Sequence, residues 1–310
     1  MKSPVLFIIF LREDTARKVF EKIREAKPPR LYVAADGPRP GRPDDVEKCK
    51  ATRSIINEVD WDCEVKTLFR EKNLGCGKGV SSAITWFFEN EEQGIILEDD
   101  ILPNIEFFQF CDEMLDLYKN DERIQLISGY NSLFDGFEAP YSYYMSKYLS
   151  IWGWASWRRV WQTFELDAAK LDCTLLLSKL KEGYSKPVYR HYKTIYKKME
   201  KHKIDTWDYQ FFFNQILYNR YSIIPFKNLT SNIGCATGDA AHTSSATDEF
   251  IRKIINHHNK PIYPLIHPDA IYFNQKADDL YAKYSRWEQP TLVKRIINRF
   301  VREIRKVCFI

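Results

Sequence analysis

Four apolar runs in the first hundred residues constrain this chain more than anything else in it: PVLFIIF (4–10), RLYVAAD (30–36), CEVKTLF (63–69) and GIILEDD (94–100). Each has the length of a strand, and the segments between them carry apolar residues at helical spacing. In DTARKVFEKIREA (14–26), Val19, Phe20 and Ile23 share a face, Asp14 or Thr15 can cap the start, and Pro28-Pro29 stop the helix. A second helix over roughly 44–58 follows the proline-rich GPRPGRP loop. A third, VSSAITWFFEN (80–90), follows the loop NLGCGKG (73–79). Strands alternating with helices imply a parallel or mostly parallel sheet flanked by helices, so the fold class is α/β. PVLFIIF is apolar throughout, as a strand covered on both faces must be. Ligands of such sheets gather beyond the carboxyl ends of the strands. The loops after Phe10, at Asp36-Gly37 and at Glu98–Asp100 should therefore converge on one rim.

The last of these loops poses a chemical question. Glu98, Asp99 and Asp100 stand side by side directly after Ile95, Ile96 and Leu97, although adjacent carboxylates repel one another and resist desolvation. Either the triplet is a solvated acidic turn or it awaits a divalent cation, which reverses the local charge balance.

Beyond residue 100 the pattern predicts a helix over 104–118, a strand RIQLISGY (123–130) and a helix TWDYQFFFNQILYN (206–219), then a strand and loop SIIPFKNLTSNIG. YSYYMSKYLSIWGWASWRRVW (141–161) reads as short strands or loops leading into a helix, and GDAAHT (238–243) as a small-residue loop ending near a histidine. The length of 310 residues allows one large α/β domain or two ordinary ones. The net charge of +4 is too mild for a nucleic-acid partner, and no basic stripe is interleaved with aromatics. Seven cysteines without a C-x-x-C pair argue for a reducing compartment and against a zinc ribbon. Arg12, Glu13 and Asp14 end the apolar start with no cleavage site, so it reads as a first strand rather than a signal peptide. No run reaches transmembrane length.

Taken together, the strand ending in Asp36-Gly37, the acidic triplet, IWGWASWRRVW (151–161), TWDYQ (206–210) and GDAAHT resemble, in that order, a bacterial family of nucleotide-diphospho-sugar glycosyltransferases of the GT-A fold. That family is itself distantly similar to N-acetylglucosaminyltransferase I. The resemblance covers about residues 3 to 245. It implies a catalytic domain over 1–245, with 1–130 as the nucleotide-binding half and 131–245 as the acceptor half, followed by a C-terminal extension over 246–310. It also implies a metal-dependent, inverting transfer from a nucleotide-sugar donor, by resemblance a UDP-sugar, to a saccharide or glycolipid acceptor. Glu98-Asp99-Asp100 looks like the DXD motif in an EDD form. By the resemblance, Asp100 binds the Mn²⁺ or Mg²⁺, Asp99 lies near the ribose, and Glu98 acts through water or neighbouring hydrogen bonds.

The chemistry is consistent with that assignment, since departure of a nucleoside diphosphate leaves negative charge that a divalent ion with hard oxygen ligands neutralises. His242 is the expected second metal ligand, and an imidazole favours manganese over magnesium. Asp36 is expected to read the base edge, with Gly37 beside it. Arg12 stands where the family more often has Asn-Arg, and is expected near the diphosphate or base. Lys78, in the glycine-rich loop before a helix, suits an anion. Asp208, between Trp207 and Tyr209, is the expected general base, with Asp205 and Asp239 as rivals. Trp152, Trp154 and Trp157 are expected to form an acceptor wall, stacking on sugar C–H faces, though at least one of them reads as core.

Two other readings compete with this one: a sugar-phosphate nucleotidyltransferase, and a non-catalytic carbohydrate- or membrane-surface-binding protein. LREDTARK lacks the glycine-rich basic signature of the former, and the latter leaves the triplet and His242 unexplained. Residues 290–310, PTLVKRIINRFVREIRKVCFI, place an apolar stripe beside six cations and one acid. That is the pattern of a helix lying on an anionic membrane or docked on the domain. A cytoplasmic protein, peripheral on the inner membrane face, is the matching expectation.

Overall fold

A computed structural model describes residues 1–133, 140–234 and 261–284. The first half follows the alternation closely: β1 (Val5–Ile9), α1 (Glu13–Ala26), β2 (Arg30–Ala35), α2 (Asp44–Arg53), β3 (Glu64–Phe69), α3 (Gly75–Asn90) and β4 (Gln93–Glu98). β1 pairs in parallel with β2 on one side and β4 on the other, and β2 pairs in parallel with β3. Val5, Leu6 and Phe7 are buried, as the unbroken apolar run requires of a strand covered on both faces. α2 gives way to a tight 3-10 turn (Ser54–Glu58), so the predicted helix over 44–58 is two elements. α3 begins at Gly75, five residues before the expected start, which takes Lys78 out of a loop and into the first helical turn.

The second half completes the same sheet. After β5 (Ile101–Pro103) comes α4 (Ile105–Leu117), whose cap is Asn104, the side chain accepting from the Phe107 N–H at 3.0 Å. β6 (Ile124–Ser128), β7 (Tyr143–Ser146) and β8 (Trp154–Trp157) follow, then α5 (Arg158–Trp161), α6 (Cys173–Gly183), α7 (Lys186–Met199) and α8 (Asp208–Leu217). β9 (Tyr221–Pro225), β10 (Thr230–Asn232) and α9 (Gln275–Tyr284) are the remaining described elements. The eight-stranded sheet runs β3-β2-β1-β4-β8-β6-β9-β7. β8 is antiparallel to both β4 and β6, β9 is parallel to β6, and β7 closes the far edge antiparallel to β9. β5 and β10 form a separate antiparallel pair. The fold is thus α/β, with a mixed, mostly parallel sheet flanked by helices.

Two details correct the sequence reading. α6 and α7 were not expected; with α8 they enclose a second apolar cluster around Leu176, Leu180, Val188, Tyr192 and Phe213. The described part of the C-terminal extension packs back on the sheet: Ser142 N–H donates to Ile266 O at 2.9 Å, and Ser146 Oγ to Asp278 Oδ1 at 2.5 Å. Burial pushes the Asp278 carboxyl up to about 6. Residues 290–310 lie outside the described residues. Among the described residues no helix is long and apolar enough to cross a membrane. Cys49, Cys63, Cys76, Cys111 and Cys173 are free thiols.

The tryptophans divide between core and cleft. Trp154 is 0% exposed, stacked on Trp207 with ring centroids 5.7 Å apart and against Phe211 at 5.2 Å. Trp157 is also buried, its indole N–H donating to Leu115 O at 3.2 Å. Both sit on β8 in the middle of the sheet, where pairing on both edges keeps them from solvent. They are core residues, and of the three tryptophans expected in an acceptor wall Trp152 alone lines the cleft. Trp154→Ala should therefore cost ~3–5 kcal/mol of unfolding free energy in urea titration, whereas Trp152→Ala should cost less than half of that. Equal losses would remove the distinction.

Candidate active site

A cleft of about 700 Å³ opens over the carboxyl ends of β1, β2 and β4. It lies where the strand order 3-2-1 reverses to 4, so that connections leave to opposite sides and a crevice forms between them. The three loops singled out in the sequence do meet there: Phe10 and Arg12, Asp36, and Glu98 to Asp100 all line it.

The acidic triplet forms the floor. Asp99 is 3% exposed with both oxygens engaged: Oδ1 meets Arg12 Nη2 at 2.6 Å, and Oδ2 accepts the Phe10 N–H at 3.0 Å. Asp100 Oδ2 meets Arg12 Nη1 at 2.7 Å, and its other oxygen has no partner among the described residues. Glu98 accepts no hydrogen bond among the described residues. Burial, then the charges of Asp100 and Asp99, pushes its carboxyl up to about 8; burial pushes Asp99 up to about 6 against the pull of Arg12. Behind the turn, Ile233 N–H donates to Asp100 O at 2.8 Å, and a Cβ on Gly234 would stand 2.4 Å from Asp100 Oδ2. β10 thus presses backbone directly onto the triplet.

One guanidinium faces three carboxylates, and that shortfall of positive charge suits a divalent cation. Asp100 and Glu98 have hard oxygens free to meet it. No group of three His, Cys, Asp or Glu side chains that could hold a metal occurs among the described residues. Asp100 and Glu98 could therefore hold an ion only in part, and phosphate oxygens of a ligand would have to supply the rest. His242, the expected second ligand, lies outside the described residues, as does Asp239.

The neighbouring wall is the N-terminus of α3, and two carboxylates from distant parts of the chain cap it. Asp36 accepts the Leu74 N–H at 3.0 and 2.9 Å as well as the Gly37 N–H at 2.9 Å. Asp205 accepts the Cys76 N–H at 3.0 Å and the Gly77 N–H at 2.9 Å. Gly75 has φ +79°, and a Cβ there would lie 2.5 Å from Asp205 Oδ2; at Gly77 it would lie 2.7 Å from Oδ1. The glycine-rich segment is shaped to admit that carboxylate. The anion site expected near Lys78 is therefore taken by the protein itself. Lys78 is exposed and does not line the cleft, nor does Gly37, whose backbone packs against Lys72. The cations that do line it are Arg12, Arg39 and Arg70. Arg70 directly follows β3 and donates to Ser82 Oγ at 2.7 Å. The rule that directs attention to strand C-termini would have found it, had it been applied to the third strand as to the others.

Trp152, Ile195, Ile204 and the segment Thr206–Tyr209 also line the cleft. Asp208 is the first residue of α8; its Oδ1 accepts from the Thr206 hydroxyl and, at 2.9 Å, from the Tyr209 N–H. Its second oxygen has no partner among the described residues. Asp208 lies near enough to Glu98 for its charge to add to the rise there. Trp207, immediately before it, is held by the stack on Trp154, so the core fixes where Asp208 points. Cys76 is no nucleophile: desolvation, then Glu98, Asp208 and Asp205, push its thiol up to about 12.

No protein-family model and no curated protein matches this chain. Among solved structures, S. aureus TarS 1-349 is similar at 14% identity and TM-score 0.40, over 83% of this chain and 72% of that one. Mouse xyloside xylosyltransferase 1 in its apo form is similar at 10% identity and TM-score 0.33, over 70% and 81%. HddC from Yersinia pseudotuberculosis is similar at 12% identity and TM-score 0.27; the match spans 40% of this chain and 56% of that one. Likenesses of this size carry no statement about activity, which rests on the cleft alone.

Two outcomes follow from this geometry. Glu98 titrates near 4.5 when unfolded and about 8 when folded, so the folded state binds more protons across that window. In EDTA, the contribution of Glu98 to stability should be complete below the lower value and be lost as pH rises towards 8; Glu98→Gln should flatten that part of the profile. A wild-type profile equally flat would show the carboxyl to be solvated. Asp205→Ala should cost ~1–2 kcal/mol as a lost helix cap, with Asp205→Asn losing less in urea titration. A variant as stable as wild type would deny the cap.

Proposed function

We propose that the chain is a glycosyltransferase of the GT-A type, moving a sugar from a nucleotide-diphosphate donor to a saccharide hydroxyl with inversion. The observation that carries this reading is the presence of two unlike acidic groups in one cleft. An acidic turn short of positive charge forms one part of its lining, and Asp208, with one carboxylate oxygen unengaged among the described residues, forms another. The first suits a cation with a diphosphate, and the second suits a hydroxyl that must lose its proton.

In this reading Asp100 and Glu98 hold a divalent ion, manganese by preference if His242 joins them. When bound, the ion neutralises charge on the departing diphosphate. Asp99 does not meet the donor; it holds Arg12, whose guanidinium stands beside the diphosphate position. Arg39 and Arg70 offer further cations to the nucleotide. Asp36 has both oxygens on α3, so it shapes the base pocket through Leu74 and Gly37 while presenting its remaining lone pairs to a base N–H. Trp152 gives an incoming sugar an apolar face to lie on. Asp208 Oδ1 is held by Thr206 and Tyr209, which leaves the other oxygen to accept the acceptor's proton as its hydroxyl attacks opposite the leaving group.

The test is a thermal-shift screen of nucleotide sugars with and without Mn²⁺, followed by turnover assays. A donor that binds the folded state should raise the melting temperature only when metal is present, and Asp100→Ala should lose that metal-dependent part. Asp208→Asn should keep the shift while turnover falls about 10²–10⁴-fold. Asp205→Asn should retain far more activity, because its oxygens are bound to α3. Full turnover in EDTA, or an active Asp208→Asn, would sink the mechanism.

A further inference from the structure

Between Lys186 and Lys203 the chain carries seven lysines and arginines against one acid, Glu200. On α1, by contrast, acids are interspersed among the cations: Arg17 meets Glu13 and Glu58, Lys22 meets Glu25, and Arg24 meets Glu21. Arg30, Arg39, Arg123 and Arg158 each have a carboxylate too. None of the seven on and after α7 has a carboxylate partner among the described residues. Helical geometry arranges them further. Lys186, Arg190, Lys193 and Lys197 recur at spacings of four, three and four, so they lie in one stripe. At 1.5 Å per residue that stripe is about 16 Å long.

The opposite face of α7 is committed to the fold through Val188, Tyr192, Tyr196 and Met199, all buried. Its C-terminal end reaches the cleft: Ile195 lines it, and Lys201 and Lys203 lead directly to Ile204, Thr206 and Asp208, which also line it. His191, beside this ridge, has its imidazole lowered by burial and by Lys198, as expected where positive charge goes uncompensated. No large hydrophobic residue is exposed anywhere in this segment. A helix that inserts in a membrane interface presents an apolar face, and α7 has spent its own on the core.

We infer that this ridge is the track for a polyanionic acceptor, a saccharide chain with repeated phosphate groups, which α7 guides to the Asp208 side of the cleft. The inference rests on the transferase reading for the word acceptor, and on the unmatched charge for the polyanion. A row of cations a helical turn apart attracts a chain of regularly spaced anions more strongly than any single phosphate, and the attraction weakens with salt.

The experiment uses the full chain and inorganic polyphosphate as the probe, with neutral dextran as a control, read by calorimetry at two salt concentrations. Arg190→Glu/Lys197→Glu/Lys201→Glu changes three exposed cations of the ridge. Lys18→Glu/Lys119→Glu/Lys276→Glu makes the same net change at exposed positions elsewhere. The ridge triple should weaken polyphosphate binding at least tenfold and reduce its salt dependence. The control triple should stay within about threefold, and dextran should not bind. Donor-induced thermal shifts, which read the transferase assignment separately, should be the same in all three proteins. Equal loss in both triples would reduce the ridge to net charge. Wild-type binding by the ridge triple would overturn the proposal. So would loss of sedimentation with phosphatidylglycerol vesicles while polyphosphate binding stayed intact, since that would make the ridge a membrane contact.

Discussion

Arg12 is the single cation among the side chains described at the acidic floor, and much of the cleft is arranged around that fact. Its guanidinium spans Asp99 and Asp100 at 2.6 and 2.7 Å, a fork geometry that lysine could not reproduce. Two adjacent carboxylates at the end of a buried strand would otherwise repel and drive the turn outward. With Arg12 present, Asp99 can be buried and can hold the Phe10 N–H, which ties the ends of β1 and β4 together at the point where the sheet reverses. Glu98 has no hydrogen-bond partner among the described residues, and burial, then Asp100 and Asp99, push its carboxyl up to about 8 against the pull of Arg12. Among the described residues the floor therefore pairs a carboxyl without a hydrogen-bond partner with a carboxylate oxygen that also lacks one.

The second constraint is the joint at α3. Parallel sheets leave helix N-termini pointing at the ligand rim, where their free N–H groups commonly receive an anion. Here Asp36 and Asp205 provide the anions from within the chain, one following β2 and one from the segment leading to Asp208. The N-terminus of α3 is thereby occupied by the protein itself. The same contacts bolt the segment that carries Asp208 to α3 across 128 residues of sequence. Stacking of Trp207 on Trp154 fixes the same segment from behind. A carboxylate whose segment is held from two directions is fixed by the fold alone.

How much of this was legible in the sequence depended on the range of the interaction. The first four strands and the rim were readable because apolar runs and helical spacing are local, and the C-terminal-end rule then placed Arg12, Asp36 and Glu98–Asp100 correctly. Trp154 and Trp157 were misplaced because burial on a central strand depends on β8 pairing with both β4 and β6, a non-local fact that two indoles in an aromatic-rich stretch do not announce. Lys78 was misplaced for a different reason. Whether a glycine-rich turn is open to an anion depends on what else reaches it, and Asp205 is far away in sequence. α6 and α7 escaped notice because their lysine-rich faces dilute an apolar pattern whose period is nevertheless regular.

That last omission bears on function. In α7 the core-facing residues are aromatic or aliphatic at helical intervals, and the solvent side is filled with cations that nothing in the fold requires. Stability alone would favour interspersed acids, as on α1, since unpaired like charges at adjacent turns repel by a few tenths of a kcal/mol each. A helix that keeps such repulsion at the mouth of a cleft gains from it only when an anion arrives. The floor of the same cleft has the opposite imbalance. A ligand neutral along its length would satisfy neither, whereas a donor diphosphate with its cation at one end, and an acidic chain approaching along α7 at the other, would satisfy both.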